Sequence, residues 1–413
     1  MYCTEVKQGQ LKMWQRGLVE KPSGTFPMCV IPIVAHFSLL NRHRYEAKVI
    51  EMDDFEVHLL PQQVLMVFVC STTGQGEEPE NMKKFWRFLL RKDLPRHSLS
   101  TVNFGVIGLG DSSYQKFNFV AKKLHRRLLQ LGGNPILDPA LGDDQHDLGL
   151  DAAVNPWLEA FWKKTSEMFP LPEGVTPLSP DYLPAAKYSL KPASEPQSRV
   201  IPDTSQSRSY SSKNPYMAAV AKNVRATTLD HFQDVRLISI DLDESGLTYL
   251  PGDVAMVSPQ NSEENVNEFF EALPQLNRLQ PLSLLSNKLE TKLPPDWIFS
   301  STCFTMEECA RRYWDFQSVP RRSFFELLAR FSTDETEREK LLEFTSAEEQ
   351  QELFNYCNRP RRTILEVLQD FHKSAAMVPA EYLFDLIPAI KPRAFSIASS
   401  VKVNPSYASL FII

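Results

Sequence analysis

The 413-residue chain has little of what hydrolytic or metal-dependent catalysis draws on. Its eight histidines are dispersed, and no Ser-His-Asp arrangement, metal-ligand cluster or Walker loop stands out. Six cysteines (Cys3, Cys29, Cys70, Cys303, Cys309, Cys357) are scattered without a Cys-x-x-Cys pair. That argues against a disulfide framework or a zinc site and fits a reducing cytoplasm. Long apolar runs are missing as well. The longest candidate, Phe26–Leu40, is interrupted by Pro27, Pro32 and His36 and lies too far from Met1 for an ordinary signal peptide. Neither a membrane span nor a membrane partner is expected. Positive charge is in deficit: a formal net charge of −6 excludes bulk nucleic-acid binding and favours partners with basic patches. There is no internal repeat.

What is present suits ordinary globular cores. Hydrophobic residues make up 43% of the chain, and its length suggests two or three domains. Residues 47–165 alternate between strand and helix patterns. Val64–Cys70 and Phe104–Leu109 are continuous apolar runs, as expected for parallel strands buried on both faces. Met82–Leu90 has helical spacing, Phe119–Leu131 repeats it and stops at Gly132-Gly133, and Ala152–Met168 is a third helix. This alternation predicts an α/β, doubly wound sheet. From Phe169 to Pro215 the pattern fails: nine prolines and many serines predict a linker, partly extended and mobile. Val235–Asp241 and Gly246–Pro259 then read as short strands with Gly/Pro turns, the start of a β-barrel. Residues 263–386 are mostly helical, with Ser323–Phe331 and Arg362–Phe371 as amphipathic segments, and a last strand follows at Arg393–Ser399.

Two loops carry the chemistry. Val67–Asn81 (V-F-V-C-S-T-T-G-Q-G-E-E-P-E-N) and Gly105–Asn118 (G-V-I-G-L-G-D-S-S-Y-Q-K-F-N) each follow an apolar run and precede a helix. In open α/β sheets, ligands sit at such strand-to-helix corners. Ser71, Thr72, Thr73 and Gly74 supply hydroxyls, backbone N–H groups and close approach. In the second loop Leu109, Gly110, Asp111, Ser112 and Ser113 form a polar turn, Tyr114 offers an aromatic face, and Gln115, Lys116, Phe117 and Asn118 shape the remainder. Together they suit a flat, polar-edged ring stacked on an aromatic, a flavin. Glu77, Glu78, Glu80, Asp138 and Asp147 crowd the same face, which would disfavour an anionic reduced flavin and steer a basic acceptor.

The two loops, the Pro-rich stretch, Tyr249–Pro259 (Y-L-P-G-D-V-A-M-V-S-P) and Pro392–Ser400 (P-R-A-F-S-I-A-S-S) occur in an order that resembles the diflavin reductases. Gly108–Leu128, Ser318–Leu328 and Asn358–Leu368 are most similar to the branch that supplies electrons to cytosolic iron–sulfur cluster assembly. The resemblance implies a flavodoxin-like FMN domain at 45–168 and a linker at 169–215. It implies an incomplete ferredoxin-reductase-like β-barrel for FAD at 216–262 and 387–413, interrupted by a helical insert at 263–386. It implies NADPH as the electron source and an anamorsin-type iron–sulfur protein as acceptor. It further implies that Asp143 and Asp144 lie near the FMN ring and that Arg393 and Arg361 pair with FAD phosphates. Phe395, beside Ala394, would face the flavin, and Ser396 would bond the ring.

Two departures from that family pattern set expectations. A Ser/Thr/Gly phosphate loop is expected after the first strand, at a helix N-terminus. Pro32–Arg44 has one serine and no glycine, and the preceding strand, Met28–Val34, contains Pro32. Residues 1–44 therefore read as divergent. Two lost hydrogen bonds to a dianion, at roughly 1.5–3 kcal/mol each, would weaken FMN binding by about 10²–10⁴. Only thirteen residues follow Ser400, so the barrel is expected to stay open and the chain to lack a nicotinamide site of its own. On that reading a redox-inactive, acceptor-binding module is the alternative to an electron-transfer enzyme.

Overall fold

The computed structural model describes residues 50–171, 179, 182–193, 210, 215–243, 245–250, 252–287, 293–294, 303–346, 349–403 and 406–412, with the backbone alone at 28–30 and 47–48. These fall into two units. One comprises the described residues up to Pro184 together with Val319–Arg362; the other comprises Ala185–Ser318 and those from Thr363 onward.

In the first unit every strand pairing is parallel. The strands are β1 (Met28–Val30), β2 (Ala47–Lys48), β3 (Leu65–Ser71), β4 (Asn103–Gly110), β5 (Asn134–Pro135) and β6 (Ala140–Asp143). Their order is β2-β1-β3-β4, with β5 and β6 pairing successive parts of β4. The apolar run of β3 is buried on both faces, as its composition predicts. Met66, Phe68 and Cys70 face α1 (Lys83–Leu89) and α2 (Phe119–Gln130), packing on Phe85, Trp86, Leu89, Val120 and Leu124. Leu65, Val67 and Val69 face α3 (Asp151–Met168), against Trp157, Leu158 and Phe161. Burying each such large side chain is worth about 1.5–3 kcal/mol, so the alternation itself fixes the register. α2 ends where Gly132 enters φ +87°, and Gly133 N–H donates back to the Leu128 carbonyl at 3.0 Å. The expected strand Met28–Val34 is present as the three residues of β1, seated between β2 and β3. Pro32–Arg44, where the family pattern places a phosphate loop, lies outside the described residues.

Also in this unit, the helices Arg322–Ala329 and Glu335–Glu343 pack through Phe325 and Phe344, and Phe344 stacks on Tyr356 at 4.7 Å.

The second unit holds three small antiparallel sheets: β7 (Tyr188–Pro192) with β11 (Leu282–Ser286), β8 (Val220–Arg225) with β9 (Arg236–Asp241) and β13 (Tyr407–Ile412), and β10 (Val254–Val257) with β12 (Arg393–Ser396). Among the described residues no sheet closes into a barrel. Its core is aromatic: Phe269 stacks on Phe316 at 4.7 Å, and Phe384 meets Trp314 edge-on at 5.1 Å. Two expectations differ from this arrangement. The stretch expected to be a mobile linker contains β7, whose Tyr188 is buried and edge-on to Phe384 at 5.4 Å. The expected helical insert contains β11, and it is divided, with Val319–Arg362 grouped in the first unit.

Candidate functional site

The C-terminal ends of β3, β4 and β6 project three loops from one edge of the parallel sheet. The first is tightened into a turn. Thr73 and Glu77 exchange backbone hydrogen bonds at 3.0 and 2.8 Å, and the Thr73 hydroxyl donates to the same Glu77 carbonyl. Gly74 and Gly76 have positive φ, and a Cβ at Gly76 would press on Phe119 and Lys116 at 3.1 and 3.2 Å. The amides of Gly74 and Gln75 bond to no described backbone carbonyl and are available to a ligand. Ser71, at the end of β3, is half-buried. Burial pushes the neighbouring Cys70 thiol up to about 12, which makes it inert at neutral pH.

The second loop is built around two carboxylates. Asp111 Oδ1 accepts from the Ser113 N–H at 2.8 Å and from its hydroxyl at 2.6 Å. Asp143 Oδ1, from the third loop, accepts from the N–H groups of Ser112 and Gln145 at 2.8 and 3.0 Å. The Ser113 side chain holds Asp111 below the ordinary carboxylate range. At Asp143 desolvation pushes upward, and the bonds from Ser112 and Gln145 outweigh it, leaving that group low as well. Both remain acceptors at neutral pH. This frame presents Tyr114 with 63% of its surface exposed. Gln115 and Lys116 are exposed, Leu109, Gly110 and Phe117 half-buried, and Asp144 exposed with its N–H bonded to the Gly110 carbonyl. An aromatic left this open at a sheet edge, with polar donors beside it, fits one face of a flat heteroaromatic ring.

Two sequence-predicted residues take other positions. Asn118 is completely buried, and its amide donates to the Gly142 carbonyl at 2.9 Å, so its side chain lies beneath the loop. The Thr72 hydroxyl oxygen accepts from the N–H of Val120 at 3.2 Å, tying the first loop to the N-terminus of α2. The acidic face is thinner than the sequence suggests. Glu78 is paired with Lys123, and Glu80 with Lys83. Gly142, the partner of Asn118, was missed by sequence reading; the Leu141-Gly142-Asp143-Asp144 turn was its only signal.

In the second unit Arg393, Ala394 and Ser396 are exposed and Phe395 is half-buried on β12, which pairs residue for residue with β10 (Phe395 opposite Ala255, Arg393 opposite Val257). Strand alternation puts Arg393 and Phe395 on one face and Ala394 and Ser396 on the other. The exposed Arg393 guanidinium is free to meet an anion. Its charge, with that of Lys391, acts on Asp315, whose carboxyl is nevertheless raised, chiefly by burial. The adjoining turn is braced by Tyr249, whose hydroxyl reaches Ser399 Oγ at 2.8 Å and the Tyr407 carbonyl at 3.1 Å. In the first unit Arg361 is exposed with φ +57°, a left-handed geometry uncommon for a residue with a Cβ, just past the π-helical turn Phe354–Asn358. The donor sets fit their implied groups: an exposed tyrosine on one loop and, on the neighbouring loop, amides with no described backbone partner for the FMN ring, and for FAD an exposed arginine, without an ion pair among the described residues, on the same strand face as a half-buried phenylalanine.

Among the described residues, no group of His, Cys, Asp and Glu could hold a metal ion, and no helix is long and apolar enough to cross a membrane.

Comparison with known proteins bears on both units. The flavodoxin family model matches residues 38–157, and that of the FAD binding domain matches residues 208–413. "NADPH-dependent diflavin oxidoreductase 1" of Xenopus laevis is 47% identical over 376 residues, 88% of this chain and 62% of the relative. The Bos taurus protein of the same name is 46% identical over 380 residues, 90% of this chain and 62% of the relative. That of Dictyostelium discoideum is 38% identical over 383 residues, 89% and 58%. The chain thus spans about three-fifths of the length of the curated relatives it matches. With a parallel sheet and an exposed loop tyrosine followed by an FAD-binding segment, and similar to these relatives over about nine-tenths of its length, the chain carries the flavodoxin and FAD-binding domains of the diflavin reductase family.

Proposed function

We propose that the chain serves an electron relay in which NADPH supplies electron pairs at FAD and a protein acceptor receives single electrons at FMN. The flavins supply the conversion between two-electron and one-electron chemistry. The chain's own residues bind and orient. Tyr114 covers one face of the FMN ring, while the first loop, Ser71 to Gly74, offers N–H and hydroxyl groups to its edge. Asp111 and Asp143 hold the Tyr114 loop, and Asp144 adds negative charge beside it. In the other unit Arg393 neutralises the FAD pyrophosphate and Phe395, on the same face of β12, shields the ring, while Ala394 and Ser396 lie on the strand's other face. The observation that carries this reading is Tyr114, an aromatic held 63% exposed by a carboxylate-braced loop.

The acceptor is proposed to be the anamorsin-type iron–sulfur protein of the cytosol. Glu77, Asp144 and Asp147, exposed around the flavin edge and bound by no basic side chain among the described ion pairs, suit a basic docking patch. The test is photoreduction of the flavin-loaded chain in the presence of that acceptor. Bleaching of the acceptor's iron–sulfur absorption, weakened by salt, is expected. Full flavin reduction with no change in the acceptor overturns the assignment, and salt-sensitive binding without bound flavin favours the module reading.

A further inference from the structure

The loop that carries Tyr114 begins at Gly110 and ends at Asn118, and one side chain joins its two ends. Asn118 is fully buried with φ +50°. Its Nδ2 donates to the Gly142 carbonyl on β6, whereas its Oδ1 accepts no hydrogen bond from any described residue. An unsatisfied buried amide oxygen is costly, so hydrogen bonding alone does not explain this placement. Nor does helix capping. Asparagine is a favoured N-cap, yet the Asn118 side chain makes no cap bond, and Thr72 takes the Val120 N–H instead.

Shape does explain it. A Cβ built on Gly110 would stand 2.7 Å from Asn118 Oδ1, 2.8 Å from Cγ and 3.0 Å from Nδ2; its three nearest atoms all belong to Asn118. On Gly108 a Cβ would lie 2.7 Å from the same Oδ1, but also 2.7 Å from the Cβ of Ala121. The amide therefore fills the volume that a side chain at 110 would occupy, and the glycine and the asparagine are two halves of one fit.

We infer that Asn118 is a positioning residue for the flavin-facing loop: interlocked with Gly110 and bonded to Gly142, it fixes the exit of the chain from β4 and hence the stance of Tyr114. The inference rests on the flavin reading above. Its test uses the full chain and two readouts.

The first is thermal unfolding without flavin. Gly110→Ala lowers the midpoint by several degrees, and adding Asn118→Gly restores at least half of that loss, because the three atoms nearest the new Cβ are gone. Gly108→Ala gains no such rescue from Asn118→Gly, since Ala121 still blocks it. If Gly110→Ala is too unstable to purify, recovery of soluble double variant is the rescue. Simple additivity of the two substitutions overturns the interlock.

The second readout is FMN titration followed by flavin fluorescence. Asn118→Gly, which keeps the positive φ without strain, binds FMN at least tenfold more weakly and quenches it less, with FAD content unchanged. Unaltered affinity and quenching in Asn118→Gly overturn the positioning role. Failure of the unsubstituted chain to bind FMN sinks the flavin reading, and the melts still decide the interlock.

Discussion

Single side chains in the Tyr114 region work mainly on one another's backbones. Thr72 takes the N–H of Val120, the donor that a capping residue at 118 would ordinarily satisfy. Thr72→Ala is therefore expected to cost about 1 kcal/mol of stability in urea unfolding, with Thr72→Ser restoring most of it. An unchanged midpoint would mean that Val120 finds water instead. Asp111 and Asp143 both sit below the ordinary carboxylate value, held there by the N–H and hydroxyl donors that they organise. A depressed native value means that the unfolded chain takes up these protons first. The stabilisation is complete above the ordinary value near about 3.9 and is lost as pH falls through the lowered native values. The amides of Ser112 and Ser113 are accordingly expected to lose hydrogen-exchange protection in acid, below about pH 4. Asp143→Asn should weaken protection of Ser112 and remove its acid dependence, while Ser113, which depends on Asp111, keeps its own. Acid-insensitive protection in the unsubstituted chain refutes the argument.

At the level of elements, legibility follows the range of the forces. β3, β4 and helices α1, α2 and α3 were readable because their pattern is local: an apolar run buried on both faces, then apolar stripes, that of α2 ended by Gly132 and Gly133. The Tyr114 loop was readable for the same reason, as a polar turn between a strand and a helix. β7 was not. Its prolines and serines argue for a linker, and only distant partners, β11 some ninety residues on and Phe384, make it a strand. The inward turn of Asn118 and the pairing of Glu78 with Lys123 were invisible for the same cause, since each depends on a neighbour brought by the fold. Tyr188 tests the point. With 5% of its surface exposed, it should behave as a core aromatic, and Tyr188→Ala is expected to cost about 3–5 kcal/mol in denaturant unfolding. A loss below about 1 kcal/mol, typical of surface positions, would return this stretch to a mobile linker.

For the whole molecule the order of the pieces was legible in the sequence, because the flavodoxin-like and FAD-binding segments each carry their own motifs. The molecule's defining claim is that two flavins are held by separate sets of residues, and that claim can be divided experimentally. Tyr114 belongs to one unit and Arg393 to the other, and they share no hydrogen bond or ion pair among the described residues. Substitutions at such independent sites act additively. Arg393→Ala removes charge-assisted bonds worth about 1.5–3 kcal/mol and should weaken FAD binding about tenfold to about a hundredfold without touching FMN. Tyr114→Ala should do the reverse through lost stacking, about 0.5–1.5 kcal/mol beyond the buried area. Extraction of bound flavin from the purified chain, separated into FMN and FAD, reads both at once. The segment at 1–44, expected from the sequence to be divergent, enters the same measurement. If the FMN phosphate lacks its expected partners there, the unsubstituted chain will hold FAD near one per chain and FMN well below it, and only added FMN will bring out the Tyr114 effect. Loss of both flavins from either single variant would show one coupled site in place of two, and the relay reading would fall with it.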